Sequence, residues 1–186
     1  SIALADTIGV GDILQYDSSN DNTIDALAVI SGRIDAQNFY VRSVSGTMTN
    51  DLLVADSDWS LYRAYTSLAN AESGTENIGL NDTLENFDSW TNGRNLIVND
   101  EEWKIALYAD AVDSTQVSVE DWISSSRNYL HIYTPFDFDE VGRTQRHYGR
   151  WNALGYQLTH TGVSSSLRIT DLSYTCLLYT SPSPRD

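Results

Sequence analysis

Hydrophobic and polar positions alternate over short stretches along most of this chain, with turn-forming residues between them. From Val10 to Val44 the pattern is strand, turn, strand, turn, strand. Ile13, Leu14 and Tyr16 lead into the polar cluster Asp17-Ser18-Ser19-Asn20-Asp21-Asn22, and residues 23–30 lead out with β-branched side chains on the returning arm. Ser31-Gly32 turns the chain, Asp35-Ala36-Gln37-Asn38 makes the next turn, and Phe39, Val41 and Val44 mark a third strand. A period of two gives each strand one buried face, so this region predicts a small antiparallel β unit. Ser45-Gly46 ends it, and Leu52-Leu53-Val54 predicts one more short strand.

Between Trp59 and Gly74 the signal changes to helix. Thr66 is the expected N-cap, Leu68-Ala69-Asn70-Ala71-Glu72 supplies good helix formers, and Gly74 suits a left-handed stop. Residues 75–100 carry no clear period and read as a structured loop anchored by Leu84, Phe87 and Trp90. From Trp103 short strands are expected at residues 104–109, 116–122, 129–134, 156–161 and 167–174. Ile105/Leu107, Val117/Val119, Leu130/Ile132 and Leu167/Ile169 would face one core. Short strands separated by turns suit a β-sandwich or a parallel β-solenoid, and periodicity alone does not separate the two.

Composition narrows the function classes. The chain has 186 residues and a mass of 20.7 kDa, enough for one ordinary domain or two small ones. Its net charge is −15, with Lys104 the only lysine. A field of that sign repels phosphate backbones, which argues against nucleic acid and against anionic membrane surfaces. No apolar run approaches the roughly 18 residues of a membrane-spanning helix, so no membrane insertion is expected. A hydrophobic content of 41%, with eleven Tyr and five Trp, is too rich for a disordered chain. Three Pro and one Cys exclude collagen-like and disulfide-stapled classes.

The last eleven residues, Cys176-Leu177-Leu178-Tyr179-Thr180-Ser181-Pro182-Ser183-Pro184-Arg185-Asp186, resemble a translated sequencing-library adaptor. Genuine sequence is then expected to end near Thr175, with the natural frame running on past it. The only cysteine and two of the three prolines fall in this tail, leaving the rest of the chain without thiol chemistry.

Three stretches carry a family resemblance. They are Arg63-Ala64-Tyr65-Thr66-Ser67-Leu68-Ala69, Glu102-Trp103-Lys104-Ile105-Ala106-Leu107-Tyr108-Ala109 and Tyr129-Leu130-His131-Ile132-Tyr133-Thr134-Pro135. Together they resemble the opening of right-handed parallel β-helix proteins of the pectate-lyase-like superfamily, which are common in environmental sequence. Gln145-Arg146-His147-Tyr148-Gly149-Arg150-Trp151-Asn152 with Tyr156-Gln157-Leu158 resembles the loop and strand that follow, and Leu167-Arg168-Ile169-Thr170-Asp171-Leu172 a first full rung. The fold class this implies is mainly all-β. Residues 1–58 form a small antiparallel accessory domain, 59–102 a capping helix and loop, 103–175 the first β-helix coils, and 176–186 the adaptor tail. No active-site motif of a polysaccharide lyase can be matched position by position, so catalytic residues stay unassigned.

Asp17, Ser19, Asp21, Thr23 and Asp25 place oxygen donors at alternating positions, as a short loop does when it wraps Ca²⁺. Asn22 stands where a glycine usually makes the sharp turn. Position twelve is Ala28, so the bidentate Glu of an EF-hand is missing, and a solvated polar hairpin turn is the competing reading. Asp110, Asp113, Glu120 and Asp121 follow successive strands and could serve as paired acids or line the turns of an acidic solenoid. His131 shares the phase of Tyr129 and Tyr133 in regular alternation, a set that could stack on sugar. Arg146, His147, Arg150 and Trp151 form a basic island suited to sugar stacking or to an acidic sugar's carboxylate, or else a loop pinned by ion pairs. Asn81-Asp82-Thr83 is a glycosylation sequon only in a eukaryotic secretory setting.

Taken together, the sequence predicts an extracellular or virion-surface protein that recognises carbohydrate, a polysaccharide or a cell-surface glycan, and acts in attachment. The full-length protein is expected as a candidate homotrimer. The alternatives are a polysaccharide lyase or glycoside hydrolase with its active site past Thr175, and a purely structural fibre protein.

Overall fold

The computed structural model describes residues 5–49, 58–88, 94–150, 152–162 and 165–178, and these are mainly β with both antiparallel and parallel sheets. The chain divides into two compact units. One comprises Ser1–Thr66, Thr75–Ser89 and Asp137–Thr144; the other comprises Ser67–Gly74, Trp90–Phe136 and Gln145–Asp186.

The first unit is built on four antiparallel strands, β1 (Asp12–Tyr16), β2 (Ala26–Arg33), β3 (Phe39–Arg42) and β4 (Trp59–Arg63), in the order β3-β2-β1-β4. On β2 the alternation is clean: Ala26, Ala28 and Ile30 are buried, while Leu27 and Val29 are half-buried. Tyr16, Ala26 and Ala28 form a core into which Leu14 and Trp59 pack. β4 stands ahead of the helix expected after Thr66, where the pattern predicts no strand. Trp59, Leu61 and Arg63 alternate with Ser60 and Tyr62 in the strand period, and pairing with β1 sets Trp59 opposite Tyr16. Residues 137–144 join this unit through the backbone, with Val10 N–H donating to Glu140 O and Arg33 N–H to Asp139 O. The strand expected at Leu52-Leu53-Val54 lies outside the described residues, as does Trp90.

In the second unit the chain alternates between two parallel ladders. β5 (Trp103–Ala106), β7 (Leu130–Tyr133) and β9 (Thr175–Leu178) form one sheet in the order β5-β7-β9, and β6 (Val117–Val119) pairs with β8 (Leu167–Ile169) in the other. Trp103 pairs with Leu130, 27 residues on, and Leu130 pairs with Thr175, 45 residues on. Single parallel bridges join Asn95 to Ile123 and Asp113 to Leu158. The expected strand over 156–161 is thus reduced to one bridge at Leu158, and the remaining strands are shorter than their apolar patterns suggest.

The inward residues meet in one core: Leu96, Leu107, Val117, Val119, Trp122, Leu130 and Ile132, with Trp103 stacked on Trp122 at 5.1 Å. Helix α1 (Leu68–Ser73) sends Leu68 into the same core. Its N-cap is Ser67 rather than Thr66, because the Ser67 hydroxyl accepts the Asn70 N–H; the left-handed stop at Gly74 is as expected, with φ 68°. At six residues the helix has too few internal hydrogen bonds to stand alone. It is held from outside: Leu68 N–H donates to Asp113 at 2.8 Å and Trp122 Nε1 donates to Glu72 at 3.2 Å.

The two strands of the β6–β8 ladder end alike. Val117, Ser118 and Val119 stand in register with Leu167, Arg168 and Ile169, and two residues past each strand Asp121 and Asp171 both adopt left-handed backbone, φ 63° and 58°. Asp tolerates that conformation better than most residues, so the same side chain closes the same corner twice.

Candidate functional site

The face of the β5-β7-β9 sheet away from the core carries a row of rings, half-buried at Tyr129 and His131 and buried at Tyr133. Leu130 and Ile132 point into the core, so Tyr129, His131 and Tyr133 share the opposite face, as regular alternation requires. Their rings form a row, with centroids 6.5 Å apart for Tyr129 and His131 and 4.7 Å for His131 and Tyr133, the latter pair stacked. Lys104 and Cys176 flank His131 in register on the neighbouring strands. The Tyr129 phenol hydrogen-bonds to the Glu102 carboxylate. That bond, then the charge on Glu102, partial burial and the nearby Cys176, push the phenol above its usual range. Glu102 also lies 3.5 Å from Lys104. Sequence reading found the ring row but not Glu102 at its end.

The basic loop sits at the C-terminal ends of β5 and β7. His147 N–H donates to Pro135 O at 2.8 Å, tying the loop to the segment that leaves β7. The Gln145 amide accepts the Ala109 N–H at 2.7 Å and donates to Asp110 at 2.8 Å, tying it to the segment that leaves β5. Gly149 turns the chain with φ 74° and its N–H donates to His147 Nδ1 at 3.0 Å. Arg146, His147 and Arg150 are therefore carried on one braced turn, with Arg150 exposed. Trp151 lies outside the described residues. Gln145, which does the bracing, is not among the residues of the expected basic island.

Asp17, Ser19, Asp21, Thr23 and Asp25 lie on one turn, and the Asp17, Asp21 and Asp25 carboxylates accept the turn's own donors. Asp17 is fully buried and accepts the N–H groups of Ser19, Asn20 and Asn22 at 2.6–2.9 Å. Removal from water pushes its carboxyl up. The backbone N–H groups of Ser19, Asn22, Asn20 and Asp21 together outweigh that and hold it below the usual carboxylate range. Asp25 accepts from the Ser18 N–H and hydroxyl, and Asp21 from the Thr23 N–H. Asn22 takes the left-handed conformation the loop needs, φ 66°, and Asn20 does too. Among the described residues no group of three or more His, Cys, Asp or Glu side chains is arranged to hold a metal ion.

Of the strand-end carboxylates, Asp113 anchors α1 and accepts the Tyr156 hydroxyl at 3.1 Å, Asp110 accepts from the Gln145 amide, and Asp121 takes left-handed backbone at a corner. No described helix is long and apolar enough to cross a membrane.

Compared with protein-family models, with curated proteins and with solved structures, the chain matches none of them.

Proposed function

We propose that residues 103–175 are the first coils of a right-handed parallel β-helix of the pectate-lyase-like type, and that the protein recognises carbohydrate at an extracellular or virion surface. The alternation of the chain between two parallel ladders supports the solenoid, as does the repeated left-handed Asp at equivalent corners. In such a fold each rung covers the one before it, and α1 would close the exposed first rung.

The observation that carries the binding role is the ring row Tyr129, His131 and Tyr133 on the sheet face away from the core, where Tyr133 is buried and the half-buried Tyr129 ends the row beside Glu102 and Lys104. The Tyr129 ring offers an apolar face to the C–H face of a sugar, while the carboxylate and ammonium accept from and donate to hydroxyls. The test is affinity electrophoresis and glycan-array binding of the 186-residue chain. Tyr129→Ala should weaken glycan binding about three- to tenfold, from the loss of one aromatic contact. Unchanged binding in that variant, or no glycan retained by the parent chain, would remove the reading.

A further inference from the structure

Chain-wide charge singles out the loop at the ends of β5 and β7. The chain carries 26 acidic residues, yet none falls between Gln145 and Thr170, the segment that contains Arg146, Arg150, Arg168, His147 and His160. Arg146, His147 and Arg150 are thus a run of basic side chains inside an acid-free stretch of a strongly negative chain. They are also braced: Gln145 ties them to Ala109 and Asp110, and the His147 N–H ties them to Pro135. Aromatic side chains accompany the charge. Tyr148, between the two arginines, is 61% exposed, and Phe136, next along the chain from Pro135, is 56% exposed.

We propose that this loop is a subsite for an anionic group carried on the glycan, a carboxylate or a phosphate. The inference rests on the carbohydrate reading above and names the charge class of its ligand. Guanidinium groups grip two oxygens of either anion in a fork, which an ammonium does not. A polyanion approaching a chain of net charge −15 is repelled least where basic side chains are gathered, and of the acids only Asp110, already held by Gln145, is tied to this loop by a described hydrogen bond. Adjacent exposed rings favour a sugar polymer over a lipid headgroup, which has no flat face to stack beside its anion, and the net charge of −15 disfavours a phosphate backbone.

Four fluorescent probes test this on the full chain: neutral, carboxylated and phosphorylated oligosaccharides of equal length, and vesicles of anionic phospholipid. One or both anionic oligosaccharides should bind about tenfold more tightly than the neutral one, the loss of a charge-assisted contact being worth about that factor. Which of the two binds better identifies the anion. Arg146→Gln and Arg150→Gln should each erase the preference and leave neutral binding in place, and Arg150→Lys should recover only part of it. Because Arg150 is exposed, its variant keeps the test valid should Arg146→Gln misfold. Equal binding of charged and neutral oligosaccharides, or a preference that survives both variants, overturns the subsite while sparing the carbohydrate reading. Binding to vesicles with none to any oligosaccharide overturns both.

Discussion

Arg63 and Asp12 stand opposite each other across the β1–β4 ladder, and Arg63 Nη1 donates to both Asp12 oxygens, at 2.7 and 2.8 Å. Asp12 is 1% exposed and also accepts the Gly9 N–H at 2.9 Å; Arg63 Nη2 donates to Thr7 O at 2.9 Å. Each charge out of water is tolerated because the other is there, so removing one strands its partner. Arg63→Ala is predicted to cost the first unit about 3–5 kcal/mol in urea denaturation. A cost under about 1 kcal/mol would mean that the pair behaves as an exposed one.

Two carboxyls are predicted to respond to pH in opposite senses. Asp17 is held low, so its contribution is full above the unfolded carboxylate range near pH 4 and is lost as pH falls through its folded value. Glu72 is pushed up, first by burial and also by the nearby Glu120, against the hydrogen bond from Trp122. Its contribution is full below about pH 4 and is lost as pH rises through its raised folded value. Glu72→Gln keeps an acceptor for Trp122 and carries no charge. It should raise the Tm followed by tryptophan fluorescence at pH 7 by about a degree or two and flatten its pH dependence. A lower Tm at pH 7 would show that the ionised carboxylate is worth more to Trp122 than its burial costs.

Gly142 follows the fully buried Val141, and a Cβ placed on it would overlap the Asp6 backbone. Backbone cannot step aside as a side chain can, so Gly142→Ala is predicted to cost about 1–3 kcal/mol, by chemical denaturation. Gly46 makes the useful comparison. Open space surrounds it, and only its φ of 79° resists substitution, so Gly46→Ala should cost about 1–2 kcal/mol by conformation alone.

The turn from Asp17 to Asp25 is predicted to hold its shape without a cation, since the Asp17 and Asp25 oxygens already accept the turn's own donors. Millimolar Ca²⁺ should leave the Tm within about 1 °C of its metal-free value, and Asp17→Ala should lower it by several degrees by freeing three N–H groups. A Ca²⁺-dependent rise that Asp21→Ala abolishes would return the turn to calcium.

Alternation by itself determined where β1, β2, β3, β5, β6, β7 and β8 lie, to within a few residues, and which way the side chains of β6 and β7 point. Val117, Val119, Leu130 and Ile132 face the core, and His131 shares a face with Tyr129 and Tyr133, because a strand's period of two leaves no other choice. Gly74 likewise announced its left-handed stop, and Asn22 its sharp turn. Trp59 to Arg63 could not be placed this way: five residues fit a short strand or a helix start, and pairing with β1 decided it.

Partners distant in sequence were decided only by the tertiary structure. Glu102 meets Tyr129, Gln145 braces the basic loop against Ala109 and Asp110, and Asp113 accepts Leu68 N–H from 45 residues away. The oxygens of the turn from Asp17 to Asp25 show the same limit. Their spacing is that of a cation loop, but whether they point outward together or inward to N–H groups depends on the backbone's path. Periodicity reports the face on which a residue sits, because that follows from bond geometry within one strand. Which group lies against it follows from how strands are brought together, and that is settled only when the whole unit packs.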